Sequence, residues 1–316
     1  MVGIDDIRTA QQHLNGRLHR TPLVASRTLS ERVGATVLLK LECLQRTGSF
    51  KPRGVLNRLS RLTADERARG LITISAGNHA QAVAWAAARE GVHATVVMPA
   101  HASPAKVAAS RAYGANIVLH GDVFAAFARM DQLRAEHGYT LVHPFDDDHV
   151  IAGQGTVGIE LCEDAGTLDV VLVPVGGGGL LAGIAAAVRA LQPRARIYGV
   201  EPVGAAALRR GLDAGAPVRL ERIDTIADGL SAPATTARVL EQIRATVDDV
   251  VLVTDEAIID ALRLLLERCK LLAEPAGAAG LAALLSGVVS VPAGAHVAVV
   301  ISGGNVDLER LRTFLP

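Results

Sequence analysis

Short β-branched runs alternate along the chain with longer alanine-rich, amphipathic ones, the pattern that a parallel α/β sheet leaves in a sequence. In the first half, residues 36–42, 71–75, 94–98, 116–119 and 140–142 read as strands, with helices such as 80–90 and 104–113 between them. In the second half the strand segments are 170–175, 196–200, 250–253 and 296–301, and residues 181–191, 254–271 and 275–285 read as helices. Gly91 and Gly114 follow their helices where C-terminal caps belong. The alternation in both halves predicts two doubly wound sheets with a cleft between them. Ligands of such sheets bind beyond the carboxyl ends of the strands.

The crossing between the halves falls at His143-Pro-Phe-Asp-Asp-Asp-His149. Its carboxylates are too crowded to converge with the histidines on one metal ion, so a solvated hinge is expected. Two stretches, 170–188 and 275–306, carry no Asp, Glu, Lys or Arg. Glycine and proline interrupt both, and a spanning helix needs about 20 continuous apolar residues. They read as buried strand and helix.

The composition narrows the class. With 316 residues, 50% of them hydrophobic, there is material for two modest cores. Basic and acidic residues both number 32, giving a formal net charge of zero, so nothing draws the chain to a nucleic-acid backbone or an anionic membrane. Cys43, Cys162 and Cys269 form neither a disulfide framework nor a zinc spacing, which fits a reduced, cytoplasmic setting. Residues 1–14 include Asp5 and Asp6 and lack an apolar core, unlike a signal peptide.

The basic residues are almost all arginines; the only lysines are Lys40, Lys51, Lys106 and Lys270. Arginine stays protonated and cannot act as an amine nucleophile, whereas a lysine that loses its proton can. Lys51 lies in Thr47-Gly-Ser-Phe-Lys51-Pro-Arg53-Gly54, where Ser49 suits an N-cap and Pro52 the first helical turn. The positive end of that helix would disfavour the charged amine.

The next signal is Val175-Gly176-Gly177-Gly178-Gly179-Leu180, between a buried strand and a helix. Successive N–H groups without Cβ atoms can form an anion cradle, to which the helix N-terminus adds partial positive charge. A tight turn is the plainer reading, but four glycines are costly in chain entropy for that purpose alone. Gly177-x-Gly179-x-x-Ala182 also satisfies the loose dinucleotide fingerprint, with Glu201 placed as a ribose-binding acid. A nicotinamide site, however, gives no role to Lys51 or to two further segments. Ser75-Ala76-Gly77-Asn78-His79 follows a strand and opens a helix, offering amides to a carboxylate, an amide side chain and a histidine that is more often structural than catalytic. Ser302, in Val300-Ile-Ser302-Gly-Gly-Asn305, offers one neutral hydrogen bond after the last strand.

Together these segments resemble the β-family, or fold type II, of pyridoxal-phosphate enzymes, and within it the threonine dehydratase and serine racemase branch. The resemblance runs from Arg20-Thr21-Pro22-Leu23 through Ile151-Ala-Gly-Gln154-Gly155-Thr156 to Ser302-Gly-Gly-Asn305. It implies an α/β fold of two doubly wound parallel-sheet domains: a large cofactor domain from residues 1–48 plus 146–316, and a small substrate domain from 49–145. The active site would lie in the cleft between them. By position, Lys51 resembles the lysine that holds pyridoxal 5'-phosphate, and Phe50 the residue on the ring face. Asn78 resembles the partner of the ring hydroxyl, Gly176, Gly177, Gly178, Gly179 and Leu180 the phosphate loop, and Ser302 the partner of the pyridine nitrogen. Ser75, Ala76, Gly77, Asn78 and His79 resemble the substrate-carboxylate segment, and Asp228-Gly229 resembles a segment near the ring edge.

The implied reaction is conversion of L-threonine to 2-oxobutanoate and ammonia, with L-serine to pyruvate as a slower companion, in a homodimer or homotetramer. Serine racemase and a dehydratase of hydroxyaspartate or a hydroxyectoine-derived amino acid are neighbouring possibilities. A non-catalytic amino-acid-binding relative is the alternative of another class. Two positions depart from the racemases: Ala76 replaces their second, opposite-face serine, and Ala207 replaces a carboxylate that pairs with Glu201 at their divalent-cation site. No metal is expected, and no C-terminal regulatory domain.

Overall fold

The computed structural model describes residues 1–316. The first elements are α1 (Ile4–Leu14), β1 (Leu23–Ala25), α2 (Arg27–Val33), β2 (Thr36–Leu41), α3 (Lys51–Leu59) and α4 (Ala64–Arg69). Then follow β3 (Leu71–Ile74), α5 (Asn78–Glu90), β4 (Ala94–Met98), α6 (Pro104–Ala112), β5 (Asn116–Leu119), α7 (Val123–His137) and β6 (Thr140–Leu141). The chain continues through α8 (Asp148–Ala165), β7 (Val170–Pro174), α9 (Gly179–Leu191), β8 (Arg196–Pro202), α10 (Ala207–Ala214) and α11 (Ala237–Thr246). It ends with β9 (Asp249–Val253), α12 (Asp255–Leu264), α13 (Pro275–Leu285), β10 (His296–Ile301) and α14 (Leu308–Phe314).

The strands form two sheets. One has six strands in the order β1-β2-β10-β7-β8-β9, parallel except for the β1–β2 pair. The other has four parallel strands in the order β5-β4-β3-β6. Its strands come from one continuous stretch between β2 and β7, so the chain leaves the six-stranded sheet after β2 and returns through α8.

The two-residue period of a strand divides the larger sheet's side chains between two layers. Val170, Leu172, Val297, Val299 and Ile301 pack into one, with α12 and α13. Val171, Val173, Ala298 and Val300 pack into the other, with α8, α9 and α11. Helices on both faces explain why these strands read as unbroken apolar runs. No helix is long and apolar enough to cross a membrane.

Two expectations change. The helix predicted over 254–271 ends as an α-helix at Leu264; Leu265–Cys269 forms a single π turn, and Lys270 adopts a left-handed conformation (φ 59°). Residues 143–147 join β6 to α8, and the charges of this segment are separately engaged rather than left to solvent. Asp147 caps α8 through the His149 and Val150 amides, Asp146 and Asp148 pair with Arg238, and His143 Nδ1 accepts from the Asp146 amide.

Candidate active site

The segment preceding Lys51 is joined to the end of β10. Ser49 and Gly303 form an isolated antiparallel bridge, the Phe50 amide donates to Ser302 O at 3.1 Å, and the Gly304 amide donates to Gly48 O at 2.9 Å. Thr47 and Gly48 turn through left-handed angles (φ 58° and 72°) to make this approach. Ser49 therefore does not cap α3, contrary to its spacing. Its extended backbone is used in the bridge, its buried hydroxyl finds no partner, and Phe50 takes the cap position without a side-chain bond. Pro52 occupies the first turn as expected.

Lys51 Nζ donates to Pro144 O at 2.9 Å and lies 5.0 Å from the Phe50 ring centroid. Burial lowers its ammonium from the ordinary value to about 8, while Glu274 pulls in the opposite direction. Desolvation, rather than the helix end invoked from sequence, is the main cause. Pro144 belongs to the crossing segment, so the connection between the sheets also holds the amine.

The glycine loop lies between β7 and α9. None of the amides from Gly176 to Leu181 donates to a backbone or side-chain acceptor, and Gly178 takes φ 92°. The glycines are required on the side away from this cradle. A Cβ on Gly177 would run into the Phe145 ring, one on Gly178 would lie 2.6 Å from Val239 Cγ1, and one on Gly179 2.9 Å from Phe145 Cα. Side chains would thus collide with the protein wall rather than intrude on the N–H groups. Gly176 rests against the Gly229–Leu230 backbone, which places Gly229 beside the loop.

A second set of open amides begins α5. Gly77 provides no side-chain cap, its own amide turns back to Ser75 Oγ at 3.1 Å, and the Asn78, His79 and Ala80 amides donate to nothing in the protein. Ala76 adds only a methyl group to this loop. The His79 ring points inward: Nε2 faces Val142 O at 2.9 Å, and burial with the nearby Lys51 charge lowers its pKa to about 3. Its backbone, rather than its ring, faces the open helix end.

Asn78 has a partner that the sequence reading missed. Its Nδ2 donates to Glu274 Oε1 at 2.5 Å, and its Oδ1 accepts from Asn305 Nδ2 at 2.8 Å. Asn305 also donates to Thr47 O at 2.7 Å, linking this network to the Lys51 segment. Burial raises the Glu274 carboxyl to about 7. A single glutamate before Pro275 looks like ordinary N-terminal helix chemistry, so its role had no distinctive signal. Phe145 left a weak one, as an aromatic residue in a polar crossing segment.

Contacts through Pro144–Phe145, Gly229 and Ser302–Gly303 link the Lys51 segment, Asn78 and the glycine loop. The Ser302 hydroxyl is not used in any protein hydrogen bond. The six amides of Gly176–Leu181, which have no acceptor in the protein, fit a phosphate, and the Lys51 amine fits an aldehyde-bearing group. Glu201 does not fit a ribose: its oxygens each accept a backbone amide at 2.8 Å, from Leu208 and Arg209.

The chain belongs to the pyridoxal-phosphate dependent enzyme family, whose model matches residues 14–303. Its two sheets and their neighbours in structure place it in fold type II. It is 42% identical over 312 residues to the catabolic L-threonine dehydratase TdcB of Escherichia coli K12, covering 98% of this chain and 95% of that protein. The crystal structure of threonine deaminase from T.th. is 44% identical, covers 97% of this chain and 99% of its own, and gives a TM-score of 0.92. Maize serine racemase, 38% identical, covers 99% and 96% respectively and gives a TM-score of 0.94.

Proposed function

We propose that this chain is a pyridoxal-phosphate-dependent L-threonine ammonia-lyase, and that the observation carrying the reading is the buried Lys51 amine between two sets of unpartnered amides. Residues 49–145 form its small substrate-binding domain, and residues 1–48 with 146–316 its large cofactor domain. It works in the cytoplasm as a homodimer or homotetramer.

The amides of Gly176–Leu181 would hold the phosphate and Phe50 would pack against the ring. Asn78 has an Nδ2 hydrogen left that would serve the ring hydroxyl, with Gly229 nearby. Ser302 would offer a neutral hydrogen bond to the pyridine nitrogen. The Asn78, His79 and Ala80 amides, with Ser75, Ala76 and Gly77, hold the substrate carboxylate. When bound, pyridoxal phosphate supplies the electron sink that makes the substrate Cα–H acidic. Lys51 removes that proton. Ser302, unlike a carboxylate, would leave the ring nitrogen without a charged partner. After hydrolysis, L-threonine has become 2-oxobutanoate and ammonia, with no net consumption of water; L-serine gives pyruvate by the same balance.

Racemisation needs an acid on the substrate face opposite Lys51, and Ala76 offers none there. Elimination is therefore preferred despite the structural likeness to a serine racemase. The test combines borohydride fixation of the cofactor with 2-oxoacid release from L-threonine, L-serine and hydroxyaspartate. Label on Lys51 and preferred turnover of L-threonine support the proposal. Label on Lys40, Lys106 or Lys270, or D-serine forming from L-serine as fast as pyruvate, would overturn it. Binding without 2-oxoacid would identify a non-catalytic relative.

A further inference from the structure

A buried ionic cluster lies two residues beyond Lys51, outside the chemistry described above. Arg53 is 2% exposed, Glu42 and Lys40 are 0% exposed, and Glu160 is 8% exposed. The Arg53 guanidinium donates twice to Glu42, Nε to Oε2 and Nη2 to Oε1, both at 2.8 Å. It also donates twice to Glu160, Nη1 to Oε1 at 2.7 Å and Nη2 to Oε2 at 2.9 Å, and Nη1 reaches Thr156 Oγ1 at 3.1 Å. Thr21 Oγ1 donates to Glu42 Oε1 at 2.5 Å, while Lys40 Nζ donates to Glu160 Oε2 at 2.6 Å and to Thr21 O at 2.8 Å. Two cations and two carboxylates balance, and every Arg53 nitrogen has an acceptor.

A buried charge network is weak evidence for stability alone, because apolar residues can fill such a space. A planar guanidinium held by two carboxylates instead fixes direction. Both carboxylates lead to parts of the active site. Glu42 directly follows β2, whose Leu41 is in register with Ile301, the residue before Ser302. Glu160 lies on α8, which meets α9 with nearly touching backbones: a Cβ on Gly183 would lie 2.6 Å from Gly155 N. At the other end of that contact, α9 opens at Gly179 of the glycine loop.

We propose that Arg53 is a positioning residue for Lys51, its guanidinium holding the first turn of α3 in register with both Ser302 and the glycine loop. The inference rests on the proposed role of Lys51. It predicts that lysine at position 53, with one ammonium in place of the planar fork, keeps the charge but loses the alignment.

Cofactor-free wild-type protein, Arg53→Lys and Thr156→Val are acylated over a range of pH, and modification of the Lys51 peptide is followed by mass spectrometry. The same proteins are then loaded with cofactor and assayed with L-threonine. Arg53→Lys should raise the Lys51 titration midpoint by at least one pH unit, leaving about tenfold less free amine below the midpoint. It should lower kcat at least tenfold with KM changed less than threefold. Thr156→Val, which removes one bond from the fork, should shift both in the same direction by a smaller amount and remains informative if Arg53→Lys does not fold. Leu262→Ala, a core truncation in α12, controls for lower thermal stability. Unchanged Lys51 titration and kcat in a folded Arg53→Lys or Thr156→Val protein would overturn the proposal. So would Leu262→Ala reproducing both shifts. Absence of turnover in loaded wild-type protein would count against the proposed function, whereas the cofactor-free titration would still decide the role of Arg53.

Discussion

Replacing Glu274 with glutamine tests the electrostatics of the site. Glutamine keeps an oxygen for Asn78 Nδ2 and removes the titration. Burial raises the Glu274 carboxyl from 4.5 to about 7 in the folded protein. That difference of about 2.5 pH units corresponds to about 3 kcal/mol. For an acid whose folded pKa is raised, the stabilising contribution is fully present below the unfolded value of 4.5. It is lost as pH rises through the folded value near 7, because the unfolded chain releases the proton first. Urea unfolding of cofactor-free wild-type protein and Glu274→Gln should therefore give a stability difference that grows by about 3 kcal/mol in favour of the variant between pH 4.5 and 8. Taking the difference cancels the titrations of other groups that the substitution leaves unchanged. Parallel pH–stability curves would refute the assignment of a buried, neutralised carboxyl.

Gly178→Val should fold with a distorted loop and retain pyridoxal phosphate at least tenfold more weakly in equilibrium dialysis, because a β-branched residue must adopt φ 92° against Val239. Glu201→Ala leaves the Leu208 and Arg209 amides without their acceptor and should cost about 2–4 kcal/mol in urea unfolding. Ala76→Ser should add D-serine formation from L-serine, measurable by chiral chromatography. A well-placed acid contributes about 10²–10⁴-fold, so no increase over the unmodified protein would show that the new hydroxyl does not reach Cα.

The central strands were legible because their side chains are buried on both faces, leaving β-branched runs such as Val170–Pro174 and His296–Ile301. Edge strand β1 has three residues, none fully buried, and left no such run. The first part of α8 is buried on every side, so its Val150–Leu161 segment shows little amphipathic contrast. At the site, Lys51 and the glycine loop were visible because their chemistry depends on residue type and local spacing. The Glu274–Asn78 bond joins positions 196 residues apart, and Arg53 meets Glu160 across 107. Neither pairing has a local pattern. Even the reason for Gly177 was hidden: the obstacle to a side chain there is Phe145, brought from the crossing between the sheets.

The Glu274 carboxyl and the Lys51 amine explain why these distant contacts matter. In water, the acid at 4.5 and the amine at 10.5 are separated by 10.5 − 4.5 = 6 pH units, or about 8 kcal/mol for moving a proton from amine to carboxylate. In the folded protein the carboxyl rises to about 7 and the amine falls to about 8, so most of that separation disappears. Burial causes both shifts by penalising each charged form. His79, lowered to about 3, stays neutral and does not compete for the proton. Both groups therefore titrate close to neutral pH. That balance requires the amine and the carboxyl to remain desolvated together, which makes the packing that fixes Lys51, Pro144 and Asn78 part of the acid–base chemistry.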